Sequence, residues 1–322
     1  MSRSKIKWHN LFIPLFFLIG GSAFAQIDTL SFLHITDLHV ILNLEKLQPD
    51  LAEYRRQKGY HLGEEKLKQF LQNIPKETNS DFVIATGDMV DFFEAEGKNG
   101  EMRQFPTHRF SRLIKKSPVP VLLVLGNHDI FSFKWQVDKL SVNQYSAVRA
   151  KAVWTKNISC FKNGNYYSKT YIVGQTAYRL IFLDDSFYRL PSENIDDVPY
   201  LDKQQLRWLN AQFQESDDDI EIILMHIPFT ENDTQPESSN ALYEILSKNE
   251  SVKLVVAGHN HKNIIKKFPG AGDQMLVQVQ TGALVADAEN WRQIHLTEDS
   301  ILVSAPGKIE NELKIPLLEN KN

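Results

Sequence analysis

Five short polar runs carry the side chains of this sequence that are best suited to bind transition metals. Each run follows a stretch of apolar and β-branched residues and contains aspartate, asparagine or histidine. The candidate metal ligands in these runs are Asp37, His39, Asp88, Asn127, His226, His259 and His261. Oxygen and imidazole donors of this kind are typical ligands of divalent transition metals. Seven ligands exceed the need of one ion and suit two ions with a shared ligand, an arrangement used in phosphoryl transfer.

The apolar stretches before these runs predict the strands that must position the ligands. They cover 30–35, 82–85, 119–125, 220–225 and 254–257. Because an open α/β sheet places its chemistry at the carboxyl ends of its strands, we expect the runs to meet at one rim. Apolar residues at three- and four-residue spacing predict helices over 62–74, 109–116 and 201–213, the first of them closed by Pro75. This pattern predicts an α/β domain with mixed sheets.

The rest of the chain gives weaker signals. No linker or internal repeat divides it, so residues 26–322 are predicted to form one domain. Residues 40–60 are predicted to form a polar loop between the first strand and the first helix. Residues 130–165 are rich in aromatic side chains, which either line a substrate site or cover the core.

The amino terminus has the pattern of a signal peptide covering residues 1–25. Three basic residues among the first seven precede an apolar stretch, and Ala23-Phe24-Ala25 offers a cleavage site. The apolar core, about ten residues long, is too short to span a bilayer comfortably. The sequence therefore predicts a periplasmic or secreted bacterial protein with no stable membrane anchor after cleavage.

Composition limits the classes of partner. The chain has 36 basic and 40 acidic residues and a formal net charge of −4, which argues against nucleic-acid binding through a basic stripe. The ligand pattern described above, which suits phosphoryl transfer, predicts a small phosphoester substrate as the partner. One cysteine, Cys160, excludes an internal disulfide, and the sequence carries no signal for oligomeric state.

In chain order, the blocks Asp-x-His, Gly-Asp-x-x-Asp, Gly-Asn-His-Asp, His and Gly-His-x-His resemble the calcineurin-like metallophosphoesterases. The resemblance runs from about residue 31 to about residue 281, and no ligand of the pattern is missing. It implies a four-layer αββα sandwich, in which two mixed β-sheets are flanked by helices and the metals lie at the sheet rim. The pattern is most similar to the bacterial cyclic-nucleotide and glycerophosphodiester branch.

The resemblance also implies a role for each matching residue. The two ligand sets are Asp37, His39 and His261 for one ion and Asn127, His226 and His259 for the other. Asp88 would bridge the ions. His128 would protonate the leaving-group oxygen, and Asp91 would orient the His128 ring. The ions are two divalent or trivalent transition metals, Fe, Mn, Zn or Co.

The implied reaction is attack on a phosphoester by a hydroxide that bridges the two ions. Phosphodiesters or nucleotides are the favoured substrates. A phosphomonoesterase and, less favoured, a non-catalytic interaction scaffold on the same fold are the alternatives. A monoesterase would share the metal-binding core and differ in whether the site has room for a second ester group. A scaffold would share only the fold.

Two positions depart from known branches of the family. Asp91 stands where purple acid phosphatases carry a tyrosine ligand, and Phe92 stands where Ser/Thr protein phosphatases carry an arginine. Tyr54, Arg55 and Arg56 are candidates to bind the substrate in place of that arginine. The competing interpretation is a solvated pair of loop arginines.

Overall fold

The computed structural model describes residues 28–187, 200–216, 219–229, 241–272 and 274–317. The predicted signal peptide, residues 1–25, lies outside these ranges. Within the ranges, no helix combines the length and apolar character needed to cross a membrane. The described residues form three β-sheets and six α-helices, numbered below in chain order, with 3₁₀ turns at Leu44–Lys46, Tyr60–Leu62 and Ser159–Phe161.

The first six-stranded sheet carries three of the polar runs at the ends of neighbouring strands. Its order is β16 (Asn311–Pro316), β15 (Ser300–Ser304), β14 (Arg292–Leu296), β1 (Leu30–Ile35), β2 (Phe82–Thr86) and β5 (Val121–Val124). Strands β1, β2 and β5 are parallel, whereas β14, β15 and β16 continue the sheet in antiparallel pairs. The three parallel strands therefore end at the same edge.

The second six-stranded sheet brings the remaining two runs to its own edge. Its order is β12 (Ile264–Pro269), β13 (Met275–Gln280), β11 (Val252–Ala257), β10 (Ile220–Leu224), β9 (Thr176–Phe182) and β8 (Tyr167–Val173). The four central strands are parallel, and the two edge strands are antiparallel to their neighbours. Because β10 and β11 are parallel neighbours, the runs that follow them leave the sheet side by side.

The two sheets face each other across a buried apolar layer. Phe32 and Ile84 from the first sheet share one core cluster with Leu180 and Leu224 from the second. Successive strand residues point to opposite faces, so Leu33, next to Phe32, packs on the helical side instead. Fully burying a side chain of this size stabilises the fold by roughly 1.5–3 kcal/mol.

Helices cover both outer faces. The first sheet is covered by α2 (Gly63–Glu77), α3 (Thr107–Ile114) and α4 (Ala147–Asn157), and the second by α5 (Lys203–Glu215) and α6 (Ala241–Ser247). The expected four-layer αββα sandwich with two mixed sheets is confirmed. Helix α2 was predicted to end at Pro75, but it continues to Glu77. Pro75 lies in the last turn, where its buried ring packs and only one backbone hydrogen bond is lost.

A third sheet was not expected from the sequence. Its order is β4 (Met102–Gln104), β3 (Glu94–Glu96), β6 (Ser132–Gln136) and β7 (Lys139–Asn143). The segment 40–60, predicted to be a polar loop, contains the helix α1 (Pro49–Gln57). This helix begins with a proline, and the Gln48 side chain accepts a hydrogen bond from the Leu51 N–H.

These additional elements pack together through their own apolar cluster. Leu51 of α1 is buried with Phe93 and with Phe133 of β6. We call α1, the turn Tyr60–Leu62 and the third sheet the lobe. In the aromatic-rich segment 130–165, Phe131, Trp154 and other rings are buried, so most of them cover the core, while Trp135 stays partly exposed.

Candidate metal centre

The polar runs leave the strands in an unusual backbone conformation. Five residues among the predicted ligands have left-handed φ angles: Asp37 at 52°, His39 at 41°, Asp88 at 47°, His259 at 70° and His261 at 57°. Non-glycine residues adopt this conformation rarely, at a cost of order 1–3 kcal/mol each, and such residues cluster at functional sites. The turns aim several side chains from two sheets into one space, which we call the rim.

Two glycines make this close approach possible. Gly87 has a φ of 89°, and a Cβ atom there would lie 2.4 Å from Nδ1 of His226. A Cβ atom on Gly258 would lie 1.9 Å from the Thr36 hydroxyl oxygen. Any larger residue at either position would push the two sheet edges apart.

The first group of predicted ligands comprises Asp37, His39 and His261. Nε2 of His261 lies 3.2 Å from Oδ1 of Asp37 and 3.3 Å from Nε2 of His39. Nε2 of His39 lies 3.9 Å from the same aspartate oxygen. With metal–ligand bonds of about 2.1 Å, neighbouring ligand atoms lie about 3.0–3.4 Å apart, so most of these distances suit a shared cation.

The second group lies deeper, between the ends of β5, β10 and β11. Nε2 of the fully buried His226 is 3.0 Å from Oδ1 of Asn127 and 3.3 Å from Nδ1 of His259. Its own Nδ1 is 2.7 Å from the backbone carbonyl of Thr86, which therefore accepts the ring proton and leaves Nε2 free for a metal.

Asp88 connects the two groups. Its Oδ1 lies 3.4 Å from Nε2 of His226, and its Oδ2 lies 3.7 Å from Nε2 of His39. Oδ1 also accepts a hydrogen bond from the backbone N–H of His128 at 2.9 Å. Each carboxylate oxygen thus faces a different group, which is the placement that a bridging ligand requires.

The donor set fits cations at this place. Oδ1 of Asp37 is buried and makes no hydrogen bond among the described residues, while its Oδ2 accepts hydrogen bonds from Thr36 and from the His259 N–H. Two imidazole nitrogens 3.3 Å apart, such as those of His39 and His261, cannot both direct a proton at each other. A cation between these atoms would satisfy all of them.

Opposite charges stabilise each other strongly in this buried space. Burial disfavours the charged ring of His226, yet the carboxylates of Asp88, Asp37 and Asp185 raise its pKa to about 10. Burial likewise opposes ionisation of Asp88, but the neighbouring His226 and His128 rings hold its pKa well below the usual range. Since a ligand histidine must lose its proton to bind a metal, metal affinity should rise with pH.

His128 and Asp91 lie side by side. Nδ1 of His128 donates to the backbone carbonyl of Asp91 at 2.8 Å, while the carboxylate Oδ1 of Asp91 is 3.6 Å away. That oxygen is closer to Nδ1 of His39, at 3.2 Å. Asp91 therefore contacts the His128 ring mainly through its backbone carbonyl and the His39 ring through its side chain.

The three predicted substrate-binding residues have different surroundings. Arg55 is buried against Asp91, with Nε 2.7 Å from Oδ2. Arg56 is exposed and pairs with Glu53. The Tyr54 ring lies 5.5 Å from that of Trp135. The structure tests neither these roles nor those of the predicted ligands, His128 and Asp91, and they stay predictions.

Several supporting residues were not identified as functional from the sequence. Both carboxylate oxygens of Asp185 accept backbone N–H groups, those of His226 and Ile227. His34 lies 2.7 Å from each of the hydroxyls of Thr86 and Thr281, beneath the rim. The pair of acids at the end of β9 was the available signal for Asp185, but only the fold places it beside His226.

Comparison with known proteins agrees with this architecture. A family profile described as calcineurin-like phosphoesterase matches residues 30–263. No curated protein sequence is significantly similar to the chain.

Among solved structures, a dimetal phosphatase from Danio rerio is 16% identical, with 90% of this chain and 99% of that chain covered and a TM-score of 0.56. GAP50, described as the anchor in the inner membrane complex of Plasmodium, is 14% identical, with coverage of 91% and 90% and a TM-score of 0.50. A purple acid phosphatase from yellow lupin seeds is 13% identical, with coverage of 90% and 54% and a TM-score of 0.52.

At these identities the three structures support the fold alone. The family match is more specific, because it spans most of the chain and includes every predicted metal ligand from Asp37 to His261. The matched segment and the two ligand groups at the rim agree with each other, and this chain belongs to the calcineurin-like phosphoesterase family.

Proposed function

We propose that this protein is an exported hydrolase of phosphodiesters or nucleotides that uses two transition-metal ions. The observation that carries the proposal is the position of Asp88, whose two carboxylate oxygens face the two ligand groups beside His128. Two ions held there would supply an activated water as nucleophile and neutralise the phosphoryl oxygens. Aspartate, asparagine and histidine donors suit Fe, Mn, Zn and Co alike.

His128 is placed to protonate the leaving group. Its Nδ1 is held by the Asp91 carbonyl, so its Nε2 points toward the rim, 3.9 Å from Oδ2 of Asp88. Burial disfavours the imidazolium, but the carboxylates of Asp88 and Asp91 raise the pKa of His128 above its ordinary value. This shift favours the protonated ring that a general acid requires, and general acid catalysis of this kind contributes about 10²–10⁴ in rate.

Aromatic rings pack around the two histidines at the centre of the rim. The rings of Phe133 and Phe131 lie 5.3 and 5.9 Å from His128. Tyr60 stacks on His39 at 4.5 Å. Phe131 and Phe133 are buried and pack against His128, whereas Tyr60 is partly exposed and available to contact an organic ester group or a base, which supports diesters or nucleotides over simple monoesters.

The alternatives make different demands on the site. A phosphomonoesterase would use the same ligands and the same acid, and it would gain nothing from the aromatic rings. A non-catalytic scaffold has no need of a general acid, so the placement of His128 speaks against it.

A substrate panel tests the proposal. Protein freed of metal by chelation is reloaded with Mn²⁺, Zn²⁺, Co²⁺ or Fe²⁺ and assayed on 4-nitrophenyl phosphate, bis(4-nitrophenyl) phosphate and cyclic nucleotides. We expect two bound ions and a higher kcat/KM for the diesters. A preference for the monoester would establish the alternative, and two bound ions without hydrolysis of any substrate would contradict a hydrolase.

The exported location is supported by the basic and apolar pattern of residues 1–25. Expression of the full chain in a bacterium, followed by fractionation and mass spectrometry of the amino terminus, tests it. We expect a periplasmic or secreted chain that begins at Gln26. A Leu15→Arg variant should stay uncleaved inside the cell because its apolar stretch is interrupted, and cytoplasmic full-length wild-type protein would contradict the proposal.

A further inference from the structure

Asp91 lies behind both histidines that face the centre of the rim. Its Oδ1 is 3.2 Å from Nδ1 of His39, and its backbone carbonyl accepts a hydrogen bond from Nδ1 of His128. Asp91 thus contacts the Nδ1 side of each ring and leaves both Nε2 atoms on the side of Asp88. The position of this one residue affects a predicted metal ligand and the predicted general acid together.

An arginine from the lobe holds the other oxygen of Asp91. Nε of Arg55 lies 2.7 Å from Oδ2, and the two side chains are only 5% and 0% exposed. A carboxylate buried this deeply needs a cationic partner to keep its charge.

Three aromatic rings fix the guanidinium from its sides. The Cζ atom of Arg55 is 4.9 Å from the ring centre of Phe133 and 5.2 Å from those of Tyr54 and Tyr60. Such cation–π contacts restrict where the guanidinium can lie. Tyr60 and Phe133 also contact His39 and His128 themselves, so the arginine and the two histidines share one packed layer.

We infer that Arg55 is a positioning residue, which holds Asp91 so that Asp91 can orient the rings of His39 and His128. The inference rests on the proposed function, because it concerns the same site. It differs from the prediction that Arg55 binds the substrate, since the guanidinium is buried and forms an ion pair with Asp91. Arg103 on β4 of the lobe provides a matched control, because its side chain is 41% exposed and pairs with Glu101.

A double-mutant cycle on the Mn²⁺-loaded enzyme tests this inference. We expect Arg55→Met to lower kcat by about 10- to 100-fold with little change in KM, as is usual for residues that orient metal ligands. Arg55→Lys should recover part of the loss, since an ammonium keeps the charge but not the planar geometry. In an Asp91→Asn background, Arg55→Met should have little further effect, because both changes remove the same contact. Arg103→Met should stay within about twofold of wild type.

Metal binding gives a second readout that does not depend on turnover. Calorimetric titration of the metal-free protein with Mn²⁺ should show about tenfold weaker binding at one site in Arg55→Met, because His39 loses its orienting partner. Arg103→Met should bind Mn²⁺ as wild type does. Circular dichroism checks folding of each variant, and Arg55→Lys carries the same comparison where Arg55→Met does not fold.

Other outcomes would overturn the inference. A raised KM with unchanged kcat, or an equal loss from Arg55→Met in the Asp91→Asn background, would make Arg55 a substrate-binding residue. Unchanged kcat and Mn²⁺ affinity would leave it a purely structural one. A wild-type protein that hydrolyses no phosphoester would contradict the proposed function, whereas the Mn²⁺ titration would still decide the role of Arg55.

Discussion

The rim and the lobe meet at His128, yet they are built in different ways. The rim consists of polar side chains on left-handed turns, and its strained backbone is held by the buried strands of two large sheets. The lobe consists of one helix and short strands in ordinary conformations, packed through aromatic rings. Under the proposed function, we expect the rim to provide the reactive groups and the lobe to orient them.

The strongest test breaks the rim at its centre. We expect Asp88→Asn to abolish hydrolysis and to remove at least one of the two ions, because the amide that replaces the bridge carries no charge. Metal analysis by mass spectrometry together with the diester assay measures both effects. Asp138→Asn, at the exposed hairpin turn between β6 and β7, is the control. Full activity with two ions retained in Asp88→Asn would refute the bridge.

The next test addresses the junction of rim and lobe. We expect His128→Ala to keep its metals and to lose about 10²–10⁴ in kcat on alkyl diesters, whose leaving group needs a proton. The loss should be much smaller on nitrophenyl diesters, since nitrophenolate leaves without protonation. Steady-state kinetics on the two ester series measures the difference. Equal losses in both series would mean that His128 orients the substrate and donates no proton.

A third test asks how far the core supports the rim. Burial, with the nearby charge of Arg292, lowers the pKa of His34 to about 3, so the folded protein resists a proton that the unfolded chain takes up near pH 6.5. The contribution of the neutral His34 ring to the free energy of unfolding is therefore fully present above pH 6.5 and is lost as the pH falls toward 3.

We expect the stability advantage of wild type over His34→Gln to shrink by about 2–3 kcal/mol between pH 8 and pH 4.5. Urea unfolding of both proteins at the two pH values measures this difference. His108→Gln, at an exposed position on α3, serves as the control. An advantage that does not change with pH would contradict a neutral, buried His34.

The smallest expected effect comes from the outer part of the lobe. Trp135→Ala removes the ring next to Tyr54, and we expect KM for a nucleoside diester to rise about three- to tenfold, as for the loss of one aromatic contact. KM for methyl 4-nitrophenyl phosphate should change little, because that substrate has no base. Trp208→Ala on α5 is the matched control. A similar change for both substrates would place the specificity surface elsewhere.

The sequence alone determined the rim. Its ligands follow strands whose β-branched residues identify them, and parallel strands of one sheet must end at the same edge. Local chemistry was therefore enough to predict that Asp37 and Asp88 lie together, although they are far apart along the chain, whereas His226 follows a strand of the second sheet and joins them because the two sheets pack face to face. The αββα layers followed from the family that these motifs resemble.

Only the tertiary structure decided what surrounds the rim. Strands of three to five residues, such as β3 and β4, carry too little periodicity to be recognised, and α1 is polar on most of its surface. Nothing in the adjacent pair Arg55 and Arg56 distinguishes the two residues until the helix turns one inward onto Asp91 and the other outward to Glu53. Contacts between side chains far apart in sequence depend on how the lobe packs, and the packing leaves no local signal.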